Sequence, residues 1–456
     1  MTVVLTSRAD LTLEAYERVA WQGEGVRLAP EAVARIAEAR ERFEALLDDP
    51  SLTVYGVTSG YGDRARVRLD AEQRRAQAAR GPGWLRLAFG EPLPERVGRG
   101  IVLARLSSVV AGYAAVRPLV AEAVAAMLDG PLPPVPSRGH GGSGEIVALG
   151  HLFGGLEGLG LAEKETIALV NGSPCAAALA ADAALAGRRR LARAEEVLAL
   201  SAEAIAAPPE AYAEELEAIW DDEHETAALR RLRELLAGGA PERRAYQAPV
   251  AYRILPRVTG QARRALAEAE RAASVSLRAV GDNPAFVPET GRVLSNGSYH
   301  NSQAPAALDG LAGCWADLCR LAERHVQFLV HDVVGAGGAE RPPAHMLAVA
   351  FAEEAEAHAQ RTALPPGGPG QNDVASPAFL AWEREEAAAG ALAACLAVLA
   401  ALSSLVLERE GSSGTPALTP LVERVRSCVP ASAFPAAGDG IGALAAAFAA
   451  SAVGES

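Results

Sequence analysis

The chain has 456 residues, 50% hydrophobic, 22% charged and 5% aromatic, which is neither a disordered nor a fibrous composition. A net charge of −13 and a pI near 5.3 argue against a nucleic-acid partner, which would ask for a basic face. Five cysteines, Cys175, Cys314, Cys319, Cys395 and Cys428, are odd in number, form no CxxC pair and lie in apolar stretches, pointing to a reducing, cytoplasmic setting. The opening residues, Met1 to Asp10, lack the basic region, apolar run and cleavage site of a secretory signal. Lys164 is the single lysine, so nearly all positive charge is arginine.

Taken in chain order, a short strand signal at Thr2 to Leu5 precedes a helix from Pro30 to Asp48. That helix has proline at its first position and apolar residues at Val33, Ile36, Ala37, Phe43, Leu46 and Leu47. Further helices are predicted over 95–128, 144–170, 175–206, 209–238, 260–280, 303–330, 343–363 and 376–409, with a second short strand at Arg292 to Leu294. Length alone suggests roughly two or three domains. The ratio of helix to strand instead predicts an all-α chain of long antiparallel helices, with alanines that let helix axes approach closely. Ala387 to Leu407 carries no charge and is long enough to span a bilayer. It continues the charged Trp382 to Glu386 helix and is rich in weakly apolar alanine, so it reads as the core of a large bundle, with no membrane partner.

The interruptions carry the chemistry, because loops on a rigid frame are where function concentrates. They are Thr53 to Asp63, Pro131 to Glu145, Asn171 to Pro174, Gly281 to Pro284, Ser295 to His300, Gly335 to Gly338 and Pro365 to Gln371. The eight histidines make no metal-ligand spacing, and His224 in Asp221-Asp222-Glu223-His224-Glu225 reads as an exposed acidic turn rather than a cation site. Gly139 to Gly144 at a helix start could cradle an anion, but it matches no nucleotide-loop spacing and reads as a flexible turn capped by Ser143. A serine hydrolase would need Ser143 to converge with His140 or His151 and an acid, without the strand-to-helix elbow usual for that chemistry.

Several of these loops together resemble the histidine and phenylalanine ammonia-lyase family, which includes related aminomutases. Tyr55 to Gly62 reads YGVTSGYG beside the family's YGVNTGFG, and Gly90 to Pro94 is similar to GEPLP. Leu169 to Ser173 resembles LINGT, and Gln247 to Gly260 resembles QDPYSLRCxPQVxG. Asp282-Asn283-Pro284 and Ser295 to His300 are similar to DNP and SGGNFH. The matches are collinear from Tyr55 to Ser376. The resemblance implies an all-α bundle of the ammonia-lyase, fumarase/aspartase-like type, divided into an N-terminal domain (1–200) and a central and C-terminal bundle (201–456). It implies a homotetramer with active sites shared between subunits.

The same resemblance implies a prosthetic group made from backbone, a 4-methylidene-imidazol-5-one (MIO) from an Ala-Ser-Gly tripeptide. Ser143 to His151 reads SGEIVALGH beside the family's SGDLAPLAH, which places Gly142, Ser143 and Gly144 at the tripeptide. The loop before it is one residue shorter than in the family, and His140 replaces a small residue. By resemblance Tyr55 is the base, Arg253 grips the substrate carboxylate, Asn171 and Gln247 line the pocket, and Tyr299 stands at a catalytic position usually held by phenylalanine. No metal or nucleotide is implied. Three departures matter. A second family tyrosine is Val250, with Tyr252 two positions along; Asn372 replaces a glutamate that contacts imidazole; and Leu85 replaces a selectivity histidine. The expected activity is ammonia elimination from an aromatic or related α-amino acid rather than histidine. A 2,3-aminomutase remains open, as do a ring-less member using Tyr55, His140 and Tyr299 for acid–base chemistry and a catalytically silent scaffold.

Overall fold

A computed structural model describes residues 2–244, 247–334 and 342–454, so the Gly335 to Gly338 loop lies outside the described residues. The chain divides into two compact units. One comprises Met1–Asp182, Glu270–Ala306 and Thr362–Trp382; the other comprises Ala183–Ala269, Ala307–Arg361 and Glu383–Ser456. The division is therefore not a single cut, and residue 200 falls inside the helix Pro174–Ala204.

The first unit is helical, with three two-stranded ribbons. β1 (Thr2–Leu5) pairs in parallel with β2 (Gly25–Leu28), β3 (Phe89–Pro92) is antiparallel to β4 (Pro136–Arg138), and β5 (Ala285–Val287) to β6 (Arg292–Leu294). The helix Pro30–Leu46 opens on its proline as expected and buries Ile36, Ala39 and Phe43. Phe43 meets Phe286 edge-on at 5.6 Å, within a cluster that includes Val54, Val57 and Ala115. Val54 and Val57 bracket Tyr55, so this core fixes the turn that presents it.

Three predicted helices are broken, each for a local reason. The 95–128 span ends at Val110, after which Gly112 and Ala115 turn to φ of 82° and 50°, and restarts at Pro118, which holds Arg117 extended at ψ 149°. The 144–170 span becomes Ile146–Phe153 and Glu165–Val170, with Lys164 at φ 78° between them. The 209–238 span is cut at Asp221, which adopts φ 50°, and Asp222 caps the new helix Glu223–Leu236 by accepting from His224 N and Glu225 N. The acidic run around His224 is thus a helix cap. Helices Ala71–Ala79, Thr419–Cys428 and Gly438–Ala452 escaped the sequence reading, the last because glycines interrupt its alanine-rich pattern.

The lone lysine is buried within the first unit. Lys164 Nζ lies 2.6 Å from Asp282 Oδ2, both side chains fully enclosed. Burial pulls the ammonium down from its ordinary value and pushes the carboxyl up, each opposed by the attraction of the other. Arg105, also fully buried, donates from Nη1 to Ala168 O (2.6 Å) and Asn171 O (2.5 Å), the carbonyls that end the helix Glu165–Val170.

The second unit is a bundle of long helices. Trp315 Nε1 donates to Glu385 Oε1 (2.6 Å), which Arg190 also engages (2.8 Å), and burial pushes the Glu385 carboxyl up to about 7. Helix Ala378–Arg409, the segment that mimics a membrane span, has 83% of its most apolar stretch buried, as a bundle core requires.

The buried pair sets the first prediction. Asp282→Ala strands the Lys164 charge, so it should cost about 3–5 kcal/mol of unfolding free energy. Urea unfolding monitored by circular dichroism reads this, and a cost near zero would mean the pair does not hold the fold.

Candidate active site

Within the first unit a cavity of about 270 Å³ opens among the loops singled out in the sequence. Tyr55, Ser143, Asn171, Tyr299, Leu85 and Asn372 all line it. Its apolar lining is made by Leu85, Trp84, Ile146, Ile167 and Val170. Its polar lining is neutral, with Asn283, Asn296 and Gln371 beside Tyr55, Tyr61 and Tyr299. No Asp, Glu, Lys, Arg or His is among the described residues that line it.

Tyr55 is fixed by its own loop. Gly62 N–H donates to Tyr55 Oη at 3.0 Å, and Gln77 Nε2 donates to Gly56 O (3.0 Å) and Ser59 O (3.3 Å), tying the loop to the helix Ala71–Ala79. Burial raises the Tyr55 phenol above its ordinary value, the Gly62 N–H works the other way, and the nearby Tyr299 adds to the rise. Tyr61 stacks with Trp84 at 6.3 Å, and the Arg80 guanidinium lies 4.0 Å over the Trp84 ring.

The glycine-flanked serine is held by its surroundings. Ser143 Oγ donates to Val374 O (2.6 Å) and Ser376 N–H to Gly142 O (2.9 Å). Gly142 and Gly144 take φ of +117° and +74°, a region that L side chains rarely adopt. A Cβ on Gly144 would stand 3.6 Å from Tyr299 Cβ, so this glycine faces the tyrosine. Ser143 is therefore not the helix cap expected from sequence; the position before Ile146 is Glu145, which makes no cap to its own helix. Its buried carboxylate instead accepts from Cys175 N (2.5 Å) and Ala176 N (2.8 Å), the opening N–H groups of the helix Pro174–Ala204.

A serine-hydrolase arrangement is absent from these residues. His140 Nε2 is engaged by Pro136 O, and its ring stacks on Phe379. His151 Nε2 accepts the Ala88 N–H. Neither imidazole lines the cavity, so His140 does not join Tyr55 and Tyr299 in acid–base chemistry.

Gln247 and Arg253 belong to the second unit, where with Trp220 they line another cavity of about 490 Å³. Arg253 Nε donates to Ala248 O (3.1 Å), leaving its terminal nitrogens without a hydrogen bond among the described residues. Tyr252, the substitute considered for the missing second tyrosine, is fully buried, stacked on His325 at 3.7 Å and bonded through its hydroxyl to Ser201. The sequence reading missed Trp84, Tyr61, Asn283 and Asn296 as lining residues, although the last three lie inside motifs it had quoted and Trp84 stands beside Leu85. It also missed Glu145, which directly follows the tripeptide.

Gly142, Ser143 and Gly144 fit a backbone-derived MIO ring. Both glycines already depart from ordinary backbone, nothing lies within 4 Å of where a Cβ on Gly142 would project, and Asn171 Oδ1 is a buried acceptor without a partner in the same cavity.

A family model described as "Aromatic amino acid lyase" matches residues 11–162 and 154–426. The chain belongs to this family and is by class a carbon–nitrogen lyase of the ammonia-lyase and aminomutase group. It is 32% identical over 353 residues to a histidine ammonia-lyase of Symbiobacterium thermophilum, covering 71% of this chain and 69% of the relative. Among solved structures it is similar to the ergothionase of Treponema denticola (TM-score 0.89, 16% identity, 99% of both chains) and to a phenylalanine aminomutase of Pantoea agglomerans (TM-score 0.86, 18% identity, 97% and 98%). At such identities the two structures establish the fold, which is the all-α ammonia-lyase type expected from sequence.

Burial of Glu145 has a pH signature. Its carboxyl is pushed from the ordinary 4.5 up to about 7, chiefly by desolvation. The folded chain therefore binds this proton more tightly than the unfolded chain, so the group's contribution is complete below 4.5 and is lost as pH rises through 7. Glu145→Gln should flatten the fall in urea-measured stability between these pH values, and an unchanged slope would assign that fall to other groups.

Proposed function

We propose that this chain eliminates ammonia from an α-amino acid with an aromatic or comparably apolar side chain, through an MIO ring matured from Gly142-Ser143-Gly144. The observation that carries the reading is the neutral cavity in which Ser143, set between two left-handed glycines, shares its walls with Tyr55, Tyr299 and Asn171. When formed, such a ring supplies electrophilic activation of the substrate's amino group.

The chain's own residues do the rest. Tyr55 Oη removes the β-proton, and the Gly62 N–H stabilises the phenolate left behind. Tyr299 packs against the Gly144 end of the tripeptide. Asn171 offers its free carbonyl oxygen to the substrate's ammonium. The apolar lining at Leu85, Ile146 and Val170 takes the side chain, and it lacks a charged partner for imidazole.

A zwitterionic substrate also needs a cation for its carboxylate, and this wall set has none. Arg253 answers that need by a two-pronged hydrogen bond, delivered from another copy of the chain. Support comes from its unbonded terminal nitrogens and from exposed Val250 and Ile254 beside it, an apolar surface suited to cover by a second copy. The assembly proposed is a homotetramer with shared sites. Re-addition of ammonia, the aminomutase outcome, uses the same groups and is the second reading, favoured by the fold's likeness to a phenylalanine aminomutase.

Two measurements test this. Freshly purified protein should weigh two waters less than its encoded mass, and Ser143→Ala should keep its encoded mass, release no ammonia and retain the oligomer. An active protein of encoded mass would overturn the ring. In an ammonia-release assay, phenylalanine-type substrates should exceed histidine by at least about tenfold in kcat/KM, the cost of one unpaired buried polar group of about 1.4 kcal/mol. A preference for histidine would overturn the side-chain assignment and keep the lyase.

A further inference from the structure

The loop that carries the tripeptide is nearly all glycine from Gly139 to Gly144, so its shape must be imposed by the residues around it. Its leading limb leaves β4, whose pairing with β3 runs from Phe89↔Arg138 to Pro92↔Pro136. Its trailing limb is tied down by the Glu145 carboxylate on Cys175 N and Ala176 N. His140 is the one residue between Gly139 and Gly144, apart from Ser143, with a side chain to hold anything.

That side chain makes two contacts. Nε2–H donates to Pro136 O at 2.5 Å, closing a five-residue turn and fixing the tautomer. The ring lies 4.1 Å from the Phe379 ring at an interplanar angle of 20°. Phe379 belongs to the same short stretch that supplies Val374 O to Ser143 Oγ and Ser376 N–H to Gly142 O. One segment, 374–379, thus touches the loop at three successive points: the imidazole, the first carbonyl of the tripeptide and the serine hydroxyl.

We propose that His140, stacked on Phe379, is a positioning residue for ring closure: it fastens the glycine loop to the 374–379 segment so that Gly144 N is presented to the Gly142 carbonyl carbon. The inference rests on the ring-bearing reading above. Closure forms the bond from Gly144 N to Gly142 C. The Gly142 oxygen leaves as water with the amide hydrogens of Gly144 and Ser143, and the Ser143 hydroxyl leaves as a second water with the Ser143 α-hydrogen. No oxidant or reductant is needed. The imidazole does not touch the reacting atoms; its part is to remove loop conformations that the glycines would otherwise sample. A stacking, hydrogen-bonding ring at 140 also gives the shortened loop an anchor that a small residue could not provide.

The test follows maturation by intact mass in the full-length chain, sampled at intervals after a synthesis pulse. His140→Ala and Phe379→Leu should each slow loss of the two waters about tenfold, the equivalent of about 1.4 kcal/mol. His140→Phe, which keeps the stack without the N–H, should recover part of the rate. Neither residue lines the cavity, so chains that have matured should keep the wild-type KM and kcat per matured chain. Melting curves check folding, and if His140→Ala fails to fold, His140→Phe carries the test. Wild-type closure rates in the folded variants overturn the inference alone, as does a KM shift in matured His140→Ala. A wild-type chain that never loses the two waters overturns the ring reading and this inference together.

Discussion

A serine set among glycines has almost no means of holding its own conformation. Gly139, Gly141, Gly142 and Gly144 lose more backbone freedom on ordering than any other residue type would. Everything at the candidate site depends on that cost being met from outside the loop. The β3–β4 ribbon holds one end, the Glu145 carboxylate at the N-terminus of Pro174–Ala204 holds the other, and the 374–379 segment holds the middle. Glu145 illustrates the balance: burial drives its carboxyl up to about 7, against the two N–H groups that favour the charged form.

Charge in this unit is spent on architecture. Lys164 and Arg105 are fully buried cations, and both are committed. The lysine is paired with Asp282, and the arginine caps carbonyls at Ala168 and Asn171. Arg105 thereby fixes the backbone of Asn171 and leaves its side-chain oxygen free for the cavity. A compact ammonium suits a closed site of one carboxylate, whereas the planar guanidinium suits two converging carbonyls, which accounts for where the chain places its single lysine.

The fold class was legible in the sequence because long helix-forming runs rich in alanine and leucine, without strand-forming clusters or interior prolines, fill most of Pro174–Ala204 and Ala378–Arg409, and an apolar face recurs along Pro30–Leu46 and Gln303–Phe328. Helix breaks were less legible: Pro118 was visible, but Asp221 and Lys164 adopt positive φ with side chains that give no such signal. For the site, motif resemblance brought together Tyr55, Ser143, Asn171, Tyr299, Leu85 and Asn372, all of which line one cavity. Gln247 and Arg253 line another, in the second unit, because a collinear motif match says nothing about which cavity each side chain enters. The partners of His140 were also illegible, since Phe379 lies 239 positions away and an isolated histidine announces no stack.

Neutral walls change how a phenol can serve as a base. In the free cavity burial keeps Tyr55 protonated, and the Gly62 N–H only partly offsets it. A cation beside the ring lowers a phenol's pKa, and none of the lining side chains provides one. On the proposed reaction the substrate's own ammonium enters this cavity, and the carboxylate it carries recruits Arg253. Both charges arrive with the ligand or with the completed assembly, not with the folded unit. Base strength at Tyr55 is then a property of the occupied site, and an empty cavity holds an inert phenol rather than a phenolate open to side reactions.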